Sequence, residues 1–331
     1  MLKYKKKEAK EWIRENFTGD IPTLPTPFKE NGEVDYEAIR FNFRHILKFG
    51  TEGYAVNAYA GEHEALTKDE KLKIFELTVE EAQRNKVFAM TSIIGNLPDV
   101  LERLKYAENL GADAVWLGGP LRRDAPEEAI YQWYKYIADR TNLALAIFDG
   151  GSPMTVARLA AECPNIVSKK TVPPDKVVAT LQALKKYNTE ITLFMPFHSA
   201  FPCVLNGTVP PELASHVNAD LYLYSTPADH VGKRCWDLAK KGELKKAAEL
   251  YYGEPLHSRI TWFTARFRGG DATNNFADSL GIKADTPLWK YMHELLGFRG
   301  GTYCRLPHLQ PTEEGKKQLK ADMIRLGWIE K

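Results

Sequence analysis

Eight short strand-like runs, each followed by an amphipathic segment, predict an α/β chain folded as a (β/α)8 TIM barrel with a C-terminal helical extension. Three observations carry that expectation. The apolar runs alternate regularly with segments of helical i, i+3, i+4 spacing, and their βα count is eight. No Gly-x-Gly-x-x-Gly follows the first run, so an open dinucleotide-binding sheet loses its main signature. The 331 residues and 44% hydrophobic content suit one large α/β domain or two ordinary ones.

In chain order, residues 1–18 form an N-terminal helical segment, with a helix expected from about Lys7 to Asn16. The barrel is assigned to 19–240. Its strands are expected at Ile21–Leu24, Gly53–Ala58, Val87–Ile93, Ala114–Leu117, Leu143–Phe148, Ile166–Lys170, Ile191–Phe194 and Leu221–Tyr224. Between them, Tyr36 to Phe49 places Ile39, Phe43, Ile46 and Leu47 on one helical face, and Pro98 to Leu110 does the same with Val100, Leu101, Leu104 and Ala107. Thr67-Lys68-Asp69-Glu70 reads as a capping box that opens the helix carrying Leu72, Ile74, Phe75 and Leu77. Residues 241–331 form the helical extension; across the last 90 residues or so, tracts are expected near Lys233–Lys241, Leu244–Tyr252, Leu288–Leu296 and Glu313–Leu326.

Composition narrows the function classes. With 45 basic and 43 acidic residues the net charge is +2, which gives no field for nucleic acid. Cys163, Cys203, Cys235 and Cys304 are widely spaced and form no Cys-x-x-Cys pair, against a zinc ribbon or a disulfide framework. No apolar run approaches a membrane span, and the basic start Met1 to Lys7 leads into a charged amphipathic segment instead of an apolar leader. The expectation is a cytoplasmic protein that binds neither membrane nor nucleic acid.

Chemistry in such a barrel belongs at the C-terminal strand ends. There the sequence places Tyr59-Ala60-Gly61-Glu62-His63, Phe148-Asp149-Gly150-Gly151, Lys169-Lys170-Thr171 and Phe197-His198. The run Asn165 to Thr171, bounded by Pro164 and Pro173-Pro174, is the most telling. Burial at a strand end disfavours an ammonium, and a lysine with a lowered pKa is a neutral amine able to attack a carbonyl. The plainer alternative is that both lysines leave the strand for solvent.

Longer stretches resemble the pyruvate-dependent class I aldolases of the dihydrodipicolinate synthase and N-acetylneuraminate lyase superfamily. They are Ile21-Pro22-Thr23-Leu24-Pro25-Thr26-Pro27-Phe28, Gly32-Glu33-Val34-Asp35, Ala60-Gly61-Glu62 with Ala65-Leu66-Thr67, Ala107 to Asp113, and Pro164-Asn165-Ile166-Val167. Leu295 to Gly301 followed by Arg305-Leu306-Pro307 resembles the C-terminal signature. The resemblance runs from about Gly19 to the C-terminus. It implies that the Schiff-base lysine follows an I-V-x-x-K pattern, which falls on Lys170. Strand alternation agrees, placing Ile166, Ser168 and Lys170 on one face and Lys169 on the other. Lys169 stands where the family has an apolar residue.

Against the synthases, Phe148 occupies the place of the relay tyrosine, Tyr59 that of the assisting threonine, and Leu121 that of a second tyrosine. The synthases' arginine after strand five has no match in Asp149 to Met154. The resemblance therefore implies a Schiff-base-forming lyase, an aldolase, hydratase-aldolase or dehydratase acting on pyruvate or another 2-oxo acid, other than a true dihydrodipicolinate synthase. Lys170 and Tyr59 are the expected catalytic residues, with Tyr59 supplying a phenol in place of the missing relay. Ala60, Gly61, Glu62, Phe148, Asp149 and His198 are the expected substrate-binding residues, with carboxylate recognition from backbone N–H groups near Tyr59-Ala60. Glu62 could instead only hold its loop, Asp149 could form an Asx turn, and His63 and His198 could be structural. No metal and no cofactor is implied, since the imine is itself the electron sink. A homo-oligomer, dimer or tetramer, is carried by the resemblance. The alternative is a catalytically diverged barrel that serves as a small-molecule binding or regulatory protein.

Overall fold

A computed structural model of the protein describes residues 2–17, 19–119, 125–148, 150–170, 174–194, 196–209, 222–264, 285–306 and 308–330. The chain divides into two compact units built from interleaved segments. Unit 1 comprises Met1–Ile21, Glu52–Ala55 and Thr78–Ala219; unit 2 comprises Pro22–Thr51, Val56–Leu77 and Asp220–Lys331. Among the described residues no helix is long and apolar enough to cross a membrane.

Unit 1 is a βα repeat. Its strands are β1 (Gly53–Val56, the last residue falling in unit 2), β2 (Phe88–Ile93), β3 (Ala114–Leu117), β4 (Leu145–Ile147), β5 (Ile166–Lys170) and β6 (Thr192–Phe194), adjacent in that order in one sheet. The ladders from β2 to β6 are parallel. The helices are α1 (Ala9–Asn16), the C-terminal part of α3 (Lys68–Asn85), α4 (Leu97–Leu110), α5 (Glu127–Asp139), α6 (Pro153–Glu162), α7 (Pro174–Lys186) and α8 (Phe197–Leu205). Local chemistry sets their limits. Asn96 caps α4 by accepting the Asp99 N–H at 3.1 Å, Pro98 stands in the first turn, and Gly111 ends the helix at φ +79°. Ser152 and Pro153 open α6 in the same way.

The sheet is rolled, and ring contacts show it. Neighbouring strands sit about 4.8 Å apart, so β3 and β6 in a flat sheet would lie roughly 14 Å apart. Yet the Trp116 and Phe194 ring centroids are 4.4 Å apart. Phe17, just past α1, stacks on Phe88 of β2 at 4.8 Å and on Phe194 of β6 at 5.5 Å. The N-terminal helix is thus docked firmly on unit 1. Tyr4 Oη donates to the Asp113 carbonyl and accepts the Ala144 N–H, both at 2.8 Å, while Lys6 Nζ donates to the Ala138 carbonyl at 2.6 Å.

Two expected strands take other forms. Ile21–Leu24 shows a single bridge residue, Thr23, because Pro22 and Pro25 have no N–H for a ladder. Of Leu221–Tyr224, Leu221 lies outside the described residues and Tyr222–Tyr224 is a 3-10 turn. A one-residue slip also corrects the alternation expected along β5. Leu145 pairs with Ile166 but Ala146 pairs with Ser168, so Val167 is an extra residue in the ladder. Ile166 therefore shares a face with Leu145, opposite to Ser168, whereas Ser168 to Lys170 pair regularly with Thr192 to Phe194.

Unit 2 holds α2 (Tyr36–Ile46), a 3-10 turn at Tyr59–Gly61, the first part of α3, α9 (Val231–Lys240), α10 (Leu244–Tyr251), α11 (Leu256–Phe263), α12 (Asp285–Leu295) and α13 (Glu313–Arg325). The expected capping box forms: Thr67 N–H donates to Glu70 Oε2 at 2.9 Å and Glu70 N–H to Thr67 Oγ1 at 3.2 Å. The helix α11 is an element that the expected tracts omit. Its buried Arg259 reaches Asp229 and the carbonyls of Tyr224, Leu326 and Gly327 at 2.6–3.1 Å, tying the chain end down.

At the centre of unit 2 is a buried ion pair between Lys290 of α12 and Glu62, both essentially inaccessible to solvent. Lys290 Nζ also donates to the Tyr303 carbonyl at 2.6 Å, and the second Glu62 oxygen accepts the Arg305 N–H at 3.0 Å. The Arg305 guanidinium then forks onto Glu70 at 2.7 and 2.8 Å and reaches the Gly32 and Ala65 carbonyls. Burial holds the Lys290 amine below its ordinary range, with Glu62 pulling the other way. Beside it, burial, with His45 and Lys290 adding to it, pushes the His293 imidazole down to about 3; its Nε2 lies 2.6 Å from Tyr222 Oη.

Two outcomes follow for stability. Lys290→Met leaves a buried carboxylate without its cation and lowers the unfolding free energy by about 3–5 kcal/mol in urea titrations, and adding Glu62→Gln recovers part of the loss. His293 is neutral when folded but takes a proton below its ordinary value of 6.5 when unfolded. Its contribution is therefore complete above that pH and falls as the pH drops toward the folded value, by up to about 1.4 kcal/mol per pH unit. Urea midpoints measured across this acid range should lose that slope in His293→Gln.

Candidate active site

The face of the sheet that carries Lys170 is built in layers set by strand register. Ser92 pairs with Trp116, Trp116 with Ala146, and Ala146 with Ser168, which puts these four residues in one row on one face. Small side chains on either side leave room for the Trp116 indole, which is fully buried. Ser92 Oγ, Ser168 Oγ and Trp116 Nε1 are all buried and have no hydrogen-bond partner among the described residues. Unpaired buried polar atoms are costly, and three in one row mark a place where the interior is not built for stability alone.

Lys170 stands one layer further toward the C-terminal strand ends, opposite Phe194 of β6. It is half-buried, and its Nζ lies 4.3 Å from the Phe148 ring centre and 5.7 Å from that of Trp116. Phe148 and Trp116 pack at 5.5 Å. Lys169 pairs with Ile147 and Leu193 on the other face, and its Nζ donates to the Phe148 carbonyl at 3.2 Å. Neither lysine is simply released into solvent at the strand end.

Both lysines line a cleft of about 510 Å³ together with Phe148, Gly151, Ser152 and Lys176. Gly150 and Gly151, at φ +79° and +78°, make the turn from β4 into α6, a conformation that other residues adopt only with strain. Glu127 of α5 forms another wall. Its carboxylate accepts the Ser152 N–H at 2.8 Å and the Thr155 hydroxyl. Burial pushes the Glu127 carboxyl up, but those bonds outweigh it and hold the group below its ordinary range, so it stays ionised. His198 sits half-buried in the first turn of α8. Asp149 and Leu121 lie outside the described residues.

The other expected site residues belong to unit 2. Tyr59, Ala60 and Gly61 form a 3-10 turn flanked by two left-handed residues, Asn57 at φ +57° and Glu62 at φ +54°. Such a conformation in a non-glycine residue is held by its surroundings. Here Asn57 Nδ2 donates to the Lys71 carbonyl and Glu62 is fixed by Lys290 and Arg305. The turn carbonyls of Ala58 and Tyr59 take the N–H groups of Gly61 and Glu62. The first N–H groups, those of Tyr59 and Ala60, have no acceptor within the turn. Tyr59 is 57% exposed. Glu62, expected as a substrate contact, has both oxygens engaged in the buried network, and Ala60 and Gly61 are buried.

Sequence reasoning did not find Lys290, Trp116 or Ser92. A signal existed for Lys290: it lies in a stretch of α12 where Thr286, Leu288, Met292 and His293 are all buried.

Comparison with known proteins agrees with this architecture. Residues 16–205 match the model of the dihydrodipicolinate synthetase family. The 4-hydroxy-tetrahydrodipicolinate synthase of Bacillus subtilis is 32% identical over 216 residues, covering 61% of this chain and 72% of that protein. That of Acidiphilium cryptum is 27% identical over 324 residues, 95% and 99% of the two chains. Among solved structures, the dihydrodipicolinate synthase of Thermotoga maritima superposes with a TM-score of 0.75 at 23% identity, covering 95% of this chain and 99% of that one. A prophage protein of Escherichia coli K12 from the dihydrodipicolinic acid synthase family, solved in complex with pyruvate, gives 0.76 at 18% identity, with 95% and 99% covered. The fold is the (β/α)8 barrel with a C-terminal helical part, and the chain belongs to the dihydrodipicolinate synthetase family, whose members are lyases of the class I aldolase type.

Proposed function

We propose that the protein is a Schiff-base-forming lyase, an aldolase, hydratase-aldolase or dehydratase, that acts on pyruvate or another 2-oxo acid through Lys170. The observation that carries this reading is the placement of the Lys170 amine at the C-terminal end of β5, against the Phe148 and Trp116 rings and open to a cleft. The ring faces of Phe148 and Trp116 hold the amine at the strand end, and attack on a ketone proceeds through its neutral form. The relatives named as 4-hydroxy-tetrahydrodipicolinate synthases, and the pyruvate held by the E. coli protein, support the substrate class.

The chemistry runs through one covalent intermediate. The neutral Lys170 amine adds to the ketone carbon of the 2-oxo acid, giving a carbinolamine that loses water to form the imine. Loss of a proton from the adjacent carbon gives an enamine. That carbon then adds to an aldehyde, or in the reverse sense a carbon–carbon bond breaks to the enamine; in a dehydratase the neighbouring hydroxyl leaves instead. Water releases the product and the amine. Protons must move at the carbinolamine and at the substrate hydroxyl, and Phe148 has no proton to move. This argues for a reaction other than dihydrodipicolinate synthesis, with the Tyr59 phenol as the proposed relay. The same Phe148 favours the second reading, a barrel that binds a small molecule without turnover.

Borohydride reduction in the presence of pyruvate separates the two. The expected result is a reduced pyruvyl adduct on Lys170 by peptide mass spectrometry, retained in Lys169→Ala and absent in Lys170→Ala. No adduct with pyruvate or a panel of 2-oxo acids would overturn the lyase reading. With the reactive substrate in hand, Tyr59→Phe should cut turnover by about a hundredfold while the trapped adduct persists; unchanged turnover removes Tyr59 from the relay.

A further inference from the structure

The cleft beside Lys170 is larger than a reaction of pyruvate alone needs. At about 510 Å³ it has the size of a small-molecule site, several times the volume of a three-carbon acid. Its wall has two characters. Ile130 of α5, Val156 of α6 and the Phe148 ring are apolar and suit a carbon chain. The charged side chains among its described lining residues are Lys169, Lys170, Lys176 and Glu127, three cations against one carboxylate. Lys176, in the first turn of α7, is exposed, and its ammonium has no hydrogen-bond or ion-pair partner among the described residues. The Glu127 carboxylate is committed to its own wall, where it accepts the Ser152 N–H and the Thr155 hydroxyl. Lys169 is anchored at the rim by its bond to the Phe148 carbonyl. Asp149 lies outside the described residues.

We propose that this cleft is a subsite for a second anionic group, and that the substrate is a 2-oxo acid whose far end carries a carboxylate or a phosphate bound by Lys176, with Lys169 beside it. The proposal rests on the Schiff-base reading and names the substrate class for it. With the ketone carbon on Lys170, the chain of the acid runs along the apolar wall and its far end meets the other two lysines. Three requirements of such a subsite are present together: room beyond the nucleophile, an apolar stretch, and an excess of positive charge at the rim. An ammonium bound to an anion makes a charge-assisted hydrogen bond, about twice as strong as a neutral one. Carboxylate and phosphate share that chemistry, and Lys176 is a point charge that takes either. An acid of the same length with a neutral end gains only the apolar contact.

Competition between acids of matched length tests this. Initial rates of borohydride-trapped adduct on Lys170 are measured at low, equal concentrations of 2-oxopentanoate, 2-oxoglutarate and the analogue of 2-oxoglutarate with a phosphonate in place of its far carboxylate. At least one of the two acids with a charged far end should be trapped about tenfold faster than 2-oxopentanoate, and which of them is favoured identifies the natural anion. The preference should narrow as salt is added. It should fall severalfold in Lys176→Met and persist in Lys176→Arg, with Lys185→Met, at the exposed far end of α7, as the control for a general change of charge. Equal rates for all three acids overturn the subsite, as does a preference that survives in Lys176→Met or falls as far in Lys185→Met. Absence of any Lys170 adduct with pyruvate or with these acids overturns instead the lyase reading on which the subsite rests.

Discussion

The register of β5 against its neighbours decides which side chains meet at the candidate site. In a parallel ladder each residue is paired on both sides, and moving a strand by one position exchanges its two faces. The extra residue at Val167 makes such a move part-way along β5, between the pairings of Ile166 and Ser168. Everything beyond it follows. Ser168 joins the row of Ser92, Trp116 and Ala146, Lys170 comes to the aromatic rings, and Lys169 turns to the Phe148 carbonyl. A ladder without the slip would put Lys169 where Lys170 is.

Buried polar groups are prominent in both units. In unit 2 the Glu62 carboxylate meets the Lys290 ammonium through one oxygen and the Arg305 N–H through the other, and the Arg305 guanidinium binds Glu70. Such a network holds a turn in a left-handed conformation that a glutamate would otherwise leave. In unit 1 the row beneath Lys170 holds hydroxyl and indole groups with no hydrogen-bond partner among the described residues.

Much of this was legible in the chain, and the failures have specific causes. Six of the eight expected strands form, because a short apolar run between turn residues carries its own signal. The capping box at Thr67 and Glu70 is likewise a local message. The run at Ile21–Leu24 was misleading because its prolines, which identify the segment, also deny it ladder hydrogen bonds. Alternation failed at Ile166 because an inserted residue leaves no mark in an apolar stretch. Glu62 looked like a substrate contact because its partner Lys290 lies far along the chain, and long-range pairing is invisible to any local pattern.

Phe17 carries a consequence for how the protein comes to be made. Its ring is held between Phe88 and Phe194, so the surface that receives it is finished only when β6 has been synthesised and has closed on the earlier strands. α1 is thus made well before the surface that completes its docking. Until then the apolar face of that amphipathic segment waits without its partner.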